Sequence, residues 1–219
     1  MPEISLNGPA GRLEARYQPG KDKRAHAALL LHPHPQHGGT MNNKVAYTLF
    51  HAFSRSGFAA LRFNFRGVGK SQGAWGGGEG ELADAAAALD WLQAANPEAE
   101  SFWIGGFSFG AWIAMQLLAR RPEIGGFVAV APPVNLADFG ALPRLPASGL
   151  IVQGDQDQIV PPAGVKALAE KLQTQRDITV TYRVIEGADH FFVDRLEQLG
   201  GVAESYIASN RHRQPAKAV

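Results

Sequence analysis

One serine of the chain lies in a pattern that could make it a nucleophile. It is the centre of the run Gly106-Phe107-Ser108-Phe109-Gly110, between a short apolar segment and a long one. A serine that attacks a carbonyl needs a sharp turn between a strand and a helix, and glycine two residues away on either side leaves room for that turn. The pattern therefore predicts acyl transfer through Ser108, with a strand before it and a helix after it.

Such a serine needs a histidine to take its proton, and a carboxylate to orient that histidine. When the serine lies on a strand–turn–helix motif, the acid and then the histidine follow along the chain. Only His190 and His212 follow Ser108, and His212 belongs to a basic, polar C-terminal segment. His190 comes directly after a strand-like segment, at the sheet edge where the sites of α/β proteins gather. We predict that His190 is the general base.

Two carboxylates share one loop after an apolar, strand-like run. We predict that Asp157 orients His190, because a turn that starts at Gly154 places Asp157 deeper in the site. Asp155 is the alternative for this role, and otherwise we expect it to cap the turn through backbone N–H groups. Asp189 adjoins His190 in the chain and cannot easily reach the same ring, so we expect it to satisfy its own loop.

The elements that must position these residues alternate along the chain. Short, continuous apolar runs predict about six strands covered on both faces, at residues 27–31, 58–65, 102–105, 127–131, 149–153 and 178–185. Helical patterns predict five helices, at residues 43–56, 81–95, 109–120, 164–174 and 198–209. Residues 3–6 and 12–17 alternate in polarity around Asn7-Gly8, which predicts an antiparallel edge hairpin. This alternation indicates an α/β fold with a mostly parallel sheet.

The composition excludes several classes of protein. The 219 residues carry 21 basic and 20 acidic side chains, so the charge balance favours neither nucleic acid nor an anionic membrane as partner. Without cysteine there is no disulfide, thiolate nucleophile or cysteine-ligated metal. The N-terminal segment lacks the apolar stretch of a signal peptide, and no run reaches the ~18 apolar residues of a membrane span. We therefore expect a cytoplasmic protein.

A further run, Asn-Phe-Arg-Gly-Val-Gly-Lys-Ser at residues 64–71, follows a predicted strand. Together with the serine turn, the acid and the histidine, it resembles the α/β-hydrolase superfamily over roughly residues 27–192, in particular the small lidless bacterial branch near the dienelactone-hydrolase-like esterases. The resemblance implies an α/β-hydrolase fold whose mostly parallel, twisted sheet has about six to eight strands flanked by helices. It also implies a hydrolase of small carboxylic esters, or of related acyl compounds, that works through an acyl-enzyme without cofactor or metal. Peptidase, lactonase and thioesterase activities use the same kind of site and stay open.

The spacing of the later strands bears on domain organisation. Too few residues separate the predicted strand that ends at Ala131 from the one that starts at Gly149 to hold a cap domain. We therefore predict one α/β-hydrolase domain over residues 1–209, without a cap. Residues 210–219 are polar and include a proline, which predicts a flexible tail. The sequence leaves the oligomeric state open.

The loop after the first long strand departs from the His-Gly pattern of many α/β-hydrolases, since it reads His32-Pro33-His34-Pro35. An oxyanion hole needs two N–H donors aimed at the developing charge, and proline has no N–H. We predict that the two donors are the backbone N–H groups of His34, which the prolines would hold extended, and of Phe109.

Bulky apolar residues near these loops are candidates for the wall of a substrate pocket. Such a wall would suit an apolar acyl or leaving group. The glycine-rich loop at residues 73–80 could form a mobile rim over the site. The candidate wall residues are Trp75, Phe107, Phe139, Phe191 and Phe192.

Two other classes of function stay open. His32, His34 and His37 have the His-x-His-x-x-His spacing of metallo-β-lactamase-type zinc hydrolases, and neutral imidazole is a good zinc ligand. That class has Asp where Gln36 stands and needs further ligands downstream, which this chain hardly offers. The second alternative is a non-catalytic protein that keeps the fold for binding. Against it, all three triad residue types stand at the ends of the appropriate predicted elements.

Overall fold

The frame of the molecule is an eight-stranded sheet, seen in a computed structural model that describes residues 3–212. The strands are β1 (Glu3–Gly8), β2 (Gly11–Gln18), β3 (Ala27–Leu31), β4 (Ala59–Phe63), β5 (Phe102–Phe107), β6 (Ile124–Val130), β7 (Gly149–Gly154) and β8 (Val180–Ile185). The helices are α1 (Lys44–Arg55), α2 (Glu79–Ala95), α3 (Phe109–Leu118), α4 (Pro162–Gln173) and α5 (Leu196–Asn210).

The strands lie in the order β1-β2-β4-β3-β5-β6-β7-β8. The pairs β1–β2 and β2–β4 are antiparallel, and all other neighbours are parallel. The predicted α/β fold with a mostly parallel sheet is therefore confirmed. The predicted edge hairpin also forms, but its turn is displaced from Asn7-Gly8, because Gly8 pairs with Gly11 and Pro9 lies at the tip. Because Pro9 lies in the turn, its missing N–H is not needed for the hydrogen bonds between β1 and β2. Gly11 can adopt its φ of +119° because it has no side chain.

Two apolar layers cover the sheet because successive side chains of a strand point to opposite faces. In β3, Leu29 and Leu31 belong to the layer under α2, α3 and α4, whereas Leu30 belongs to the layer under α1 and α5. All five residues of β3 are buried, as expected for a parallel strand covered on both sides. Helix α3 is apolar almost all round and is buried against the sheet.

The chain after β8 differs slightly from the predicted boundary. Helix α5 extends to Asn210, the first residue of the predicted tail, and Arg211 Nη1 donates to the carbonyl oxygen of Ser56 at 3.2 Å. The rest of that predicted tail, residues 213–219, lies outside the described residues. In the part of the chain that the structure describes, no helix lies between β6 and β7, and no helix is both long and apolar enough to cross a bilayer.

The topology gathers the candidate residues at one edge of the sheet. Strand β3 lies between β4 and β5, so the chain leaves the carboxyl ends of β3 and β5 in opposite directions and opens a crevice there. His34 follows β3 and Ser108 follows β5, on either side of this crevice. Asp157 and His190 follow β7 and β8 at the same edge.

Candidate active site

Ser108 occupies a strained turn between β5 and α3. Its backbone has φ 52° and ψ −120°, a region that L-residues rarely adopt and that persists only where the surroundings enforce it. Its N–H donates to the carbonyl of Val130 at 2.8 Å, which fixes the turn against β6. A Cβ on Gly106 would collide with the carbonyl oxygen of Gly110, and one on Gly110 with that of Leu31. The two glycines of the sequence pattern are therefore required by the backbone.

The side chains of Ser108, His190 and Asp157 form one hydrogen-bonded chain. His190 Nε2 lies 3.1 Å from Ser108 Oγ, and His190 Nδ1 lies 2.8 Å from Asp157 Oδ2. Because a carboxylate only accepts hydrogen bonds, the proton of the neutral ring lies on Nδ1, and Nε2 presents its lone pair to the hydroxyl. His190 and Asp157 are only 5% and 3% exposed, so water competes little for either bond.

Asp157 is held as an anion by its surroundings. Burial by itself would raise its pKa, but the hydrogen bonds from His190 and from the N–H groups of Val160 and Ile159 lower the pKa below its ordinary value. The two N–H groups donate to Oδ1 at 2.7 and 2.8 Å. The carboxylate of Asp157 is therefore ionised and accepts a hydrogen bond from the His190 ring.

The other two carboxylates near the triad are engaged in loop contacts. Asp155 Oδ1 accepts the N–H of Gly187 at 2.7 Å and so ties the acid loop to the loop that carries His190. Asp189 Oδ1 accepts the N–H of Val193 at 2.9 Å. The structure thus places Asp157, and neither Asp155 nor Asp189, against the His190 ring.

The loop after β3 places His34 beside Phe109. His34 is extended, with φ −53° and ψ 120°, and its ring packs 5.0 Å from that of Phe109, measured between centroids. Phe109 is the first residue of α3, so its N–H has no acceptor within the helix. Both residues border the same cavity as Ser108.

His32 has both ring nitrogens in use. Nδ1 donates to the carbonyl of Pro33 at 2.7 Å, and Nε2 accepts the N–H of Phe65 at 3.0 Å. The ring is fully buried, and this burial lowers its pKa to about 4. His32 therefore joins the loop after β3 to the loop after β4 as a neutral group, and it has no lone pair left for a metal.

The candidate zinc cluster does not form. Within residues 3–212, the only three His, Asp or Glu side chains close enough to share a cation are His26, Glu100 and His212. They border a separate pocket whose lining also includes Lys21 and Arg211, and these positive charges oppose a cation there. His37 packs against the His34 ring instead, with 4.6 Å between their centroids.

A cavity of about 720 Å³ opens in front of Ser108. Trp75, from the glycine-rich loop, packs over His34 with 4.6 Å between ring centroids and forms one side. Phe191 also contributes to the wall. The lining residues are Pro33, His34, His37, Gly38, Gly39, Asn43, Trp75, Gly77, Ser108, Phe109, Trp112, Pro133, Leu136, Ala137, Asp138, Ile159, His190 and Phe191.

Three predicted wall residues do not reach this cavity. Phe107 is fully buried beneath the His190 ring, 5.0 Å away between centroids. Phe139 and Phe192 are 7% and 0% exposed and belong to the two apolar layers of the core. Hydrophobicity alone cannot separate a wall from a core residue, because both are apolar.

Other wall residues were not anticipated, although the sequence carries a signal for them. Trp112 lies four residues after Ser108, one helical turn along the same face of α3. Leu136 and Ile159 lie in the loops after β6 and β7, where parallel strands of an α/β sheet deliver residues to a site.

Comparison with known proteins agrees with this geometry. The sequence profile of the X-Pro dipeptidyl-peptidase (S15 family) matches residues 11–142. An α/β serine hydrolase without lid from Xanthomonas campestris is 32% identical with a TM-score of 0.85, over 99% of this chain and 96% of that one. The chain belongs to the α/β serine hydrolase family. The α/β-hydrolase fold that the motifs implied is thereby confirmed.

Other relatives of this α/β serine hydrolase cover nearly its whole length. A serine hydrolase homologue from Coxiella burnetii is 39% identical with a TM-score of 0.87, over 94% of this chain and 97% of that one. A protein of unknown function from Agrobacterium tumefaciens is 52% identical with a TM-score of 0.93, over 99% and 100% of the two chains. An uncharacterized protein from Rickettsia prowazekii is 50% identical, over 97% of this chain and 92% of that one.

Proposed function

We propose that this α/β serine hydrolase cleaves carboxylic esters of small molecules through an acyl-enzyme on Ser108. The observation that carries the proposal is the chain of hydrogen bonds from Asp157 through His190 to Ser108 Oγ, 2.8 and 3.1 Å long. His190 Nε2 takes the hydroxyl proton as Oγ attacks the ester carbonyl. The Asp157 carboxylate stabilises the imidazolium that results.

The rest of the reaction uses the same groups. Collapse of the tetrahedral intermediate breaks the ester C–O bond, and His190 returns its proton to the departing alkoxide. Water then attacks the acyl-enzyme, again losing a proton to His190, and the bond to Oγ breaks as His190 returns that proton to Ser108 and the acid is released. During both attacks the backbone N–H groups of His34 and Phe109 receive the oxyanion, a role that their position beside Ser108 supports.

The cavity favours a neutral, partly apolar substrate. No lysine or arginine occurs among the described residues that line it, and half of these residues are apolar. Asp138 is the only carboxylate among the described lining residues, and that group already accepts the N–H of Gly140 at 2.6 Å. A peptidase that grips a free N-terminal ammonium needs a buried carboxylate, so an ester fits this site better than a dipeptidyl substrate.

Two observations oppose the alternative functions. The ring of His32 has no free nitrogen, which weighs against metal-dependent hydrolysis at the histidine cluster. Ser108 is held at a φ of 52°, and such backbone strain costs of order 1–3 kcal/mol. A protein that only bound ligands would gain nothing from that strain, whereas a nucleophile gains an exposed Oγ.

The test is hydrolysis of p-nitrophenyl esters of graded acyl length by the parent protein and by Ser108→Ala, with Ser209→Ala as the matched control. Ser209 lies on the exposed face of α5 and donates only to the carbonyl of Ser205. We expect Ser108→Ala to lose turnover and fluorophosphonate labelling, while its circular dichroism spectrum is unchanged and the control equals the parent. Turnover by Ser108→Ala at the parent rate would refute the nucleophile.

The substrate class is tested with the same proteins. If the parent labels at Ser108 but cleaves an X-Pro p-nitroanilide and no ester, the ester proposal is wrong and the peptidase activity takes its place.

A further inference from the structure

Gln153 is the one polar side chain in the buried strand β7, whose sequence is Gly-Leu-Ile-Val-Gln-Gly. Its side chain is 0% exposed. Polar groups are buried only where hydrogen bonds compensate for lost water. The partners of this amide therefore indicate why a glutamine stands there.

The amide nitrogen of Gln153 faces acceptors only. Nε2 lies 2.9 Å from Asp157 Oδ2, 3.2 Å from the carbonyl oxygen of Val160 and 3.3 Å from that of Gly154. If the amide were turned over, Oε1 would face one carboxylate and two carbonyls, all of which repel it. The chemistry of the neighbours thus fixes which end of the amide points to Asp157.

The amide oxygen has no such role. Oε1 is buried and has no hydrogen-bond partner among the described residues. An apolar side chain of similar length would avoid this unsatisfied acceptor and would suit the surrounding core. The donor end of Gln153 is therefore the part that the site uses.

The bond from Gln153 completes the coordination of Asp157. Oδ1 accepts two N–H groups, from Ile159 and Val160, and Oδ2 accepts His190 Nδ1 and Gln153 Nε2. A carboxylate offers about four lone-pair directions, so all of them are used. With both oxygens held, the carboxylate cannot rotate away from the ring.

We propose that Gln153 is a positioning residue of the active site. Its amide N–H holds Asp157 Oδ2 against His190 and, as a second donor to that oxygen, weakens the hydrogen bond that the oxygen accepts from the ring. The inference rests on the proposed function, since it assigns Gln153 a part in setting the basicity of the His190 ring. Asp157 is the only titratable side chain bonded to this amide in the part of the chain that the structure describes.

Loss of the donor has two expected consequences. Oδ2 is freed to interact with the imidazolium alone, which stabilises protonated His190 and moves the acid limb of kcat/KM to higher pH. The carboxylate also gains rotational freedom, so kcat falls by about ten-fold or more, the loss expected for one hydrogen bond to a charged group. KM for the ester stays at the parent value, because Gln153 does not border the cavity.

Two variants separate positioning from simple packing. Gln153→Met keeps the length of the side chain but removes the donor. Gln153→Glu keeps the shape, and its new carboxyl donates to Asp157 only while protonated. The ratio of the Gln153→Glu kcat to the parent kcat is therefore near one at low pH. The ratio falls as the new carboxyl ionises, because the donor is lost and a like charge appears beside Asp157. Gln158→Met, on the exposed part of the same loop, is the matched control.

The experiment measures kcat and KM of the three variants and the parent across pH, corrected for folded enzyme by fluorophosphonate titration. A lower kcat with a shifted acid limb for Gln153→Met, and a pH-dependent ratio for Gln153→Glu, support the proposal. If Gln153→Met has the kcat and the acid limb of the parent, the proposal is wrong. If Gln153→Met does not fold, the proposal is wrong when the ratio of the Gln153→Glu kcat to the parent kcat does not change with pH. Failure of the proposed function is separate, since it appears as absent Ser108 labelling in the parent.

Discussion

Protonation of His32 should weaken the fold, and the structure sets the size of the effect. Burial lowers the pKa of His32 to about 4, from an ordinary value of 6.5 that the unfolded chain regains. The neutral ring is thus favoured in the folded state. The contribution of neutral His32 to the free energy of unfolding is complete above pH ~6.5. It declines as the pH falls towards the pKa of His32 in the folded protein and is absent below that pKa. A gap of about 2.5 pKa units corresponds to about 3 kcal/mol.

The physical reason lies in the two bonds of the ring. A protonated His32 carries a proton on Nε2, which then faces the N–H of Phe65 as a second donor. The loop after β3, which carries Pro33 and His34, would lose its attachment to the loop after β4. Activity should therefore decline with stability, because His34 is a proposed oxyanion donor.

The assay is urea unfolding of the parent and of His32→Asn between pH 7.5 and pH 4. Asparagine can retain the donor to Pro33 but cannot accept from Phe65, so the variant should lose about 1–3 kcal/mol at pH 7.5. Towards pH 4 the parent should lose about 3 kcal/mol that the variant keeps, because only the parent titrates at this position, so the difference in unfolding free energy should vanish or change sign. Burial also lowers the pKa values of His26, His34 and His51, but these groups are common to both proteins. A difference that stays constant across pH would refute the reasoning.

Two further predictions concern the Arg66–Asp84 pair and Trp75. Asp84 is fully buried and accepts Nη2 and Nε of Arg66 at 2.7 and 3.0 Å, so Asp84→Asn should lower the free energy of unfolding by about 3 kcal/mol or more. Asp90→Asn breaks an exposed pair with Arg121 and should cost under about 1 kcal/mol; equal losses in urea unfolding would contradict the difference in burial. Trp75→Ala should lower kcat/KM about ten-fold for an octanoate ester but much less for an acetate ester, because Trp75 forms one cavity wall. Equal losses for both esters would remove Trp75 from acyl recognition.

Much of the fold was readable from local patterns. Apolar, strand-like runs predicted strands β3 to β8, and the signal is clearest for the inner strands such as β3, because a strand covered on both faces is largely apolar. The hairpin turn was placed wrongly because Asn-Gly is a strong local turn signal, whereas pairing of Gly8 with Gly11 depends on the register of the two strands. Helix ends were displaced by a few residues for a similar reason, since caps and packing decide them.

The pocket walls show the limit of sequence reasoning most clearly. Trp75, Phe107 and Phe139 are alike in hydrophobicity, but only Trp75 borders the cavity. The other two point into the layers on the faces of the sheet. Which way a side chain points at the end of an element depends on neighbours far away in the chain, which no local pattern records.

The sequence by itself determined the turn at Ser108, because the steric demand of that turn falls on Gly106 and Gly110, two residues away. It also limited the histidine to His190 and His212 through chain order, and the polar C-terminal segment around His212 left His190. Only the tertiary structure decided that Asp157, rather than Asp155, contacts the ring, since that choice depends on which N–H groups of the β7 and β8 loops face each carboxylate. The same holds for Gln153 and His32, whose partners become visible only when separate segments are packed together. The steric demands of a turn fall on residues that are close in the chain, whereas hydrogen bonds between distant segments depend on how the fold packs them.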